Sequence, residues 1–155
     1  ETTIAATGLT LIGLFNMMGT LISGKVSGII KKKYILSFIY FVRSIVIFLL
    51  LILPTNNFTI IAFSCCIGLL WLSTVPPTSG IVSNRFGTRY LSTLFGIVMV
   101  SHQAGAFLGS FLGGLVIDIY GSLDIAWIMA IVISLFSAII HFPIKEKEKS
   151  EEVFA

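Results

Sequence analysis

Two ionisable side chains lie deep inside long apolar runs, where charge is costly and tends to mark a pathway: His102 and Arg43. His102 stands eleven residues into the run that opens at Leu91, about 16 Å along a helix and so near the middle of a bilayer core. Histidine is the side chain that ordinarily exchanges its proton near neutral pH, so His102 is a candidate proton or substrate site. It shares a helical face with Gly105, Gly109 and Gly113, which reads either as a cavity wall or as a tight helix contact. Arg43, about ten residues from the nearer end of its run, offers a forked donor that can hold a carboxylate. It can equally be a snorkelling or structurally paired arginine.

The remaining candidates are small and polar. Asn16 and Thr20 belong to a stripe with Gly13, Ser23 and Ser27 at three- and four-residue steps, a face suited to protein or water rather than lipid. Trp71 shares a face with Ser64 and Gly68 and lies away from the interfacial belt where tryptophan is common. Pro76 and Pro77 are expected to break their helix near its cytoplasmic end, as a kink or a gate. Cys65 and Cys66, adjacent in an apolar run, suit neither a disulfide framework nor a metal site. Asn57-Phe-Thr59 matches a glycosylation acceptor by chance, and Asp118 and Asp124 read as solvated residues flanking an outer turn. There is no Walker-type phosphate loop, no paired intramembrane carboxylate, no metal-ligand spacing and no nucleophile–base set, so the expectation is a non-enzyme without cofactor or metal.

The elements that must position these residues follow from composition. Of 155 residues, 56% are apolar and 11% are charged, far below the roughly 25% charge of a soluble domain. The solvent for most of the surface is therefore lipid, and nucleic acid is not an expected partner despite the net charge of +3. Only helices and closed barrels satisfy their backbone in lipid, and five runs reach or approach the 20 residues a spanning helix needs. The expected fold is an all-α integral membrane bundle over 1–144, with spans at about 4–30, 34–53, 58–82, 91–117 and 125–142, and a charged, solvated cytoplasmic tail over 145–155.

Nine of ten Lys and Arg residues fall on one side of this pattern: Lys25, Lys31, Lys32, Lys33, Arg85, Arg89, Lys145, Lys147 and Lys149. The opposite connections carry none, which puts the N-terminus outside and the C-terminus in the cytoplasm. The chain opens on Glu1 with an odd number of spans, the expectation for part of a longer protein.

The stretch Gly19-Thr-Leu-Ile-Ser-Gly-Lys-Val-Ser-Gly-Ile-Ile-Lys-Lys-Lys-Tyr34 resembles a loop of the major facilitator superfamily, with Gly24 in its glycine-rich helix end and Gly28 where an acidic residue usually stands. That signature lies between the second and third helices and, degraded, between the eighth and ninth. Gly105-Ala-Phe-Leu-Gly109-Ser-Phe-Leu-Gly113-Gly114 resembles the superfamily's fifth-helix motif, with Ser110 in place of proline, and the eleventh helix repeats the fifth. The resemblance implies helices eight to twelve of a transporter in an inner cell membrane, moving a small solute by alternating access beside a missing N-terminal half. It makes Gly19, Gly24, Gly105, Gly109, Gly113, Pro76 and Pro77 packing or gating residues, places Asn16 and Thr20 on a cavity-lining helix, and places Arg43 on a peripheral one. Trp71-Leu-Ser-Thr-Val-Pro-Pro-Thr78, Asn84-Arg-Phe-Gly-Thr-Arg-Tyr90 and Ser101-His-Gln-Ala-Gly-Ala-Phe107 look most like bacterial monocarboxylate and oxalate–formate carriers, implying an organic anion and proton coupling. An uncoupled channel and a non-transporting assembly subunit are the alternatives.

Single cysteines at positions 55 and 122, in a chain freed of Cys65 and Cys66, should react with an impermeant thiol reagent added to intact cells. Cysteines at 32, 89 and 150 should not, and outside labelling of position 150 would overturn the orientation.

Overall fold

A computed structural model describes residues 2–146. It contains six helices among those residues: α1 Thr2–Ser27, α2 Lys32–Ile52, α3 Asn57–Trp71, α4 Val75–Phe86, α5 Leu91–Tyr120 and α6 Asp124–Ile140. α1, α2 and α5 are each long and apolar enough to cross a membrane, and so is the stretch 57–86 that holds α3 and α4. α6 is a shorter apolar helix of 17 residues.

The helix ends have local causes. Asn56 caps α3 by accepting the Thr59 N–H at 2.9 Å. Gly121 ends α5 in the left-handed region at φ 68°, with its N–H on the Ile117 carbonyl, a conformation that costs glycine little. α5 therefore runs past the expected 117, and α1 stops at Ser27 rather than near 30.

At the start of α2 one residue of the tail, Glu146, is bound rather than solvated. The backbone N–H groups of Lys32 and Lys33, orphaned at a helix N-terminus, donate to the two carboxylate oxygens of Glu146 at 3.0 and 2.7 Å. Lys33 Nζ also donates to the Phe142 carbonyl at 3.0 Å, and Phe142 packs edge-on against Tyr34. Gly28 brings no carboxylate to this basic cluster; the negative charge comes from the far end of the chain. Residues 147–155, the rest of the expected tail, lie outside the described residues.

Two helix pairs form the body, α1 on α3 and α2 on α6, joined through contacts of α2 with α3 and α4. The α1–α3 seam is made of small residues. A Cβ on Gly68 would stand 2.8 Å from the Ile12 carbonyl oxygen, and one on Gly19 would collide with the Leu69 carbonyl oxygen. These backbones touch, which is how helices without a hydrophobic drive between them gain dispersion contact in lipid. Gly24 lies in ordinary contact with Pro76, at 3.9 Å.

The glycine ladder of α5, read as a cavity wall or a tight helix contact, has an open face among the described residues. Nothing described lies within 4 Å of a Cβ built on Gly105, Gly109 or Gly113, and α5 touches only α4 and α6 among the described residues. Gly13 is likewise open, so the packed face of α1 runs through Gly8, Asn16, Gly19 and Ser23 rather than through Gly13 and Thr20.

Gly19→Ala should therefore lower the stability of the detergent-solubilised protein by about 1–3 kcal/mol, the cost of overpacking. Gly13→Ala should change it by less than about 0.5 kcal/mol. Equal melting temperatures for the two variants would show that the seam is not a close contact.

Candidate functional site

Pro76 and Pro77 do not break the helix where they stand; they sit in the first turn of α4, and the chain opens just before them, at residues 72–74. The cause is the missing proline N–H. In a continuous helix residues 76 and 77 would donate to the carbonyls of Leu72 and Ser73, four residues back, and the proline rings would crowd those same carbonyls. At the start of a helix the missing donors cost nothing, so α4 begins there.

In lipid each open backbone group costs several kcal/mol unless something else satisfies it. Here five consecutive carbonyls have partners. The Ser73 hydroxyl donates to Leu69. An Arg43 terminal nitrogen donates to Leu70 at 2.5 Å and to Trp71 at 3.1 Å. The Val75 N–H donates to Leu72 at 3.0 Å, in the tighter three-residue pattern. Ser23 Oγ, from α1, donates to Ser73 at 2.5 Å. The Leu72 N–H, freed from the helix, donates to Asn16 Oδ1 at 3.0 Å. Arg43 is eleven residues into α2, about 16 Å from its start, so the break lies at mid-bundle.

Asn16, Arg43 and Trp71 are thus brought together, with Arg43 in the structurally paired role that was one of its two readings. Arg43 and Asn16 hold backbone, Trp71 contributes its carbonyl while the residue is 55% exposed, and Thr20 donates to the Asn16 carbonyl of its own helix at 2.8 Å. Arg43 Nε, by contrast, is buried without a hydrogen-bond partner among the described residues.

His102 lies apart from this node, exposed along a cleft of about 320 Å³ that opens beside the break. Thr74 and Thr78 line it from the break and α4, Ser101 from α5, Tyr40 from α2, and His141 from the end of α6. The His141 ring stacks on Tyr40 with centroids 5.3 Å apart, and the Arg43 guanidinium lies 5.1 Å from the same tyrosine ring. His141 Nδ1 is 2.5 Å from the Ser137 carbonyl oxygen, which can only accept, so Nδ1 carries a proton and Nε2 is left for other partners. His141 and Tyr40 were not singled out in the sequence. His141 follows directly on an apolar run, where a histidine reads as an interfacial residue, and only the pairing of α2 with α6 brings it to Tyr40.

Helices long and apolar enough to cross a bilayer, one of them discontinuous at mid-bundle, define a multi-pass membrane protein. The chain belongs to the Major Facilitator Superfamily, which it matches over residues 2–155. It is 26% identical over 150 residues to an uncharacterized MFS-type transporter, YcxA, of Bacillus subtilis (strain 168), an alignment that covers 93% of this chain and 37% of that protein. The chain thus spans little more than a third of the length of the curated relative it matches. No solved structure matches it.

Arg43→Met should lower stability by about 2–4 kcal/mol by leaving the Leu70 and Trp71 carbonyls open. In a Pro76→Ala/Pro77→Ala background the helix can run through and supply its own donors, so the same substitution should cost much less. Thermal unfolding of the four proteins gives the coupling energy, and a cost that is identical in both backgrounds would detach Arg43 from the break.

Proposed function

We propose that this chain is the C-terminal portion, helices eight to twelve, of a secondary transporter that moves a small solute across the inner cell membrane by alternating access. In this reading α3 and α4 are two halves of a single span, the tenth helix, and the N-terminus is outside with the C-terminus in the cytoplasm. The observation that carries the reading is the break at 72–74, held open at mid-bundle beside a polar cleft. Transporters build substrate sites from such discontinuous helices, where backbone departs from the helix only against protein or water.

Two further features support it. The open faces of α1 and α5, with Gly13, Gly105, Gly109 and Gly113 meeting no described neighbour, suit contact with the N-terminal half of the same transporter. The nine-to-none bias of Lys and Arg supports the orientation. The solute is a small organic anion moved with a proton, the class implied by the likeness to monocarboxylate and oxalate–formate carriers, and His102 is the group that exchanges the proton. Coupling draws on an ion gradient rather than on a nucleotide, a metal or another cofactor.

The test compares the 155-residue chain with the full gene product, each reconstituted in liposomes under an imposed pH gradient. Uptake of labelled organic anions is expected from the full product alone. Transport by the 155 residues themselves would defeat the reading of the chain as a portion of the carrier.

A further inference from the structure

We propose that the cleft between α2, α4, α5 and α6 is a proton-linked anion site, with His141 and His102 as the two groups that take up the proton and Tyr40 and Thr78 as neutral donors. The inference rests on the transport reading and gives it a location and a second histidine. It starts from the inventory of the lining. α5 contributes Ser101 and His102, α6 contributes His141, the break and α4 contribute Thr74 and Thr78, and α2 contributes Tyr40. The charged group nearest to them from α2 is Arg43, against the Tyr40 ring, and no Asp or Glu lines the cleft among the described residues. The ionisable side chains lining this space are therefore two histidines and a tyrosine, with no carboxylate among them. A cation would find no countercharge here, whereas an anion would find hydroxyl donors and two imidazoles.

The threonines divide in use. The Thr78 hydroxyl donates to the Thr74 carbonyl at 2.7 Å and keeps its lone pairs for an incoming donor. When an anion enters, that hydroxyl can turn to donate to it, since an α4 turn is already closed by the Thr78 N–H on the same carbonyl at 3.1 Å. His141 is prepared in a different way. Its Nδ1 proton is committed to the Ser137 carbonyl, so its remaining nitrogen, Nε2, accepts in the neutral ring and donates in the imidazolium. A carboxylate oxygen only accepts, so it can be bound at Nε2 only when the ring has gained a proton from water. Stacking on Tyr40 fixes the plane of the ring and leaves its edge for this exchange.

Charge then sets the stoichiometry. Two imidazolium rings in one cleft, with Arg43 close by, repel one another in a medium of low dielectric constant, so one anion is matched by about one proton. The loaded site carries no more net charge than the empty one, which removes the main electrostatic barrier to carrying a carboxylate between helices in lipid. A volume of about 320 Å³ accommodates a carboxylate of a few carbons with some water. The direction with pH follows. Because the anion binds together with a proton, affinity rises as the pH falls.

The test uses the full gene product, solubilised and immobilised, with carbon-14-labelled acetate and oxalate as probes. At least one probe should bind, with an affinity at least tenfold greater at about pH 6 than at about pH 8. His141→Gln keeps a donor and an acceptor but cannot titrate; it and His102→Gln should each reduce that ratio, and the double variant should abolish it. Melting temperatures measured alongside separate lost binding from lost folding, and Tyr40→Phe should weaken binding while keeping the pH ratio. Absence of binding by both probes at both pH values, or an unchanged pH ratio in the double variant, overturns the site. Liposome uptake by the same preparation tells the two readings apart: uptake that survives in the double variant with its pH dependence intact removes this site and leaves the transporter, whereas no uptake by the unaltered protein removes the transporter itself.

Discussion

Everything at the centre of this bundle depends on how the backbone at residues 69–73 is satisfied. Two adjacent prolines remove two amide donors from the middle of an apolar stretch, and a bilayer offers no water to replace them. The donors arrive from elsewhere in the chain: Arg43 from α2, Ser23 from α1 and Ser73 from the break itself. Asn16 closes the account from the other direction by accepting the freed Leu72 N–H. A guanidinium is well suited to the task, because one terminal nitrogen can reach two successive carbonyls while the charge stacks on a neighbouring aromatic ring. The same constraint explains why a charged residue is tolerated at this depth. Arg43 is bound to helix carbonyls, whose partial negative charge at a helix C-terminus offsets part of the cost of taking the cation out of water.

The seam between α1 and α3 is a consequence of that constraint. Ser23 and Asn16 are short, and they reach the break only because Gly19 and Gly68 let the two backbones come into contact. Small residues thus serve two linked purposes, dispersion along the seam and placement of two polar side chains at its end. The pair α2–α6 is organised from its own end by a carboxylate. Glu146 holds the two orphan amides at the start of α2, so the segment after α6 returns to the helix that α6 packs against. With α2 placed by Arg43 at one level and by Glu146 at another, Tyr40 between them is carried into register with His141.

Much of the architecture was legible in the amino-acid sequence, because lipid imposes a length and a composition on any segment that crosses it. Runs such as Tyr34–Leu53 and Leu91–Ile117 announce themselves through hydropathy alone, and α2 and α5 follow them closely. The break was half legible. Pro76-Pro77 signals an interruption, but proline acts on the turn before it, so the opening falls at 72–74. Structural pairing was one of the two readings of Arg43, but the partners of Arg43 and Asn16 were not legible, because a side chain bonded to backbone leaves no complementary residue type to find. Glu146 was concealed inside a run of alternating charge that composition alone marks as solvated. The spacing of Gly105, Gly109 and Gly113 is plain in the sequence, and no helix among the described residues meets it.

His102 and His141 are 39 positions apart, on helices that touch each other only slightly, and they line one cleft beside the break. A continuous helix through residues 72–74 would carry Thr74 and Val75 on around its regular spiral, with their carbonyls and amides closed within the helix. The opening instead shifts the start of α4, and with it Thr74 and Thr78, to the side where α5 and the end of α6 stand. The cleft lies beside the discontinuity, where the prolines interrupt the helix and Arg43, Ser23 and Asn16 bond groups it leaves open. Arg43 also touches the ring on which His141 rests. One aromatic ring, Tyr40, therefore lies between His141 and the donor that holds the break.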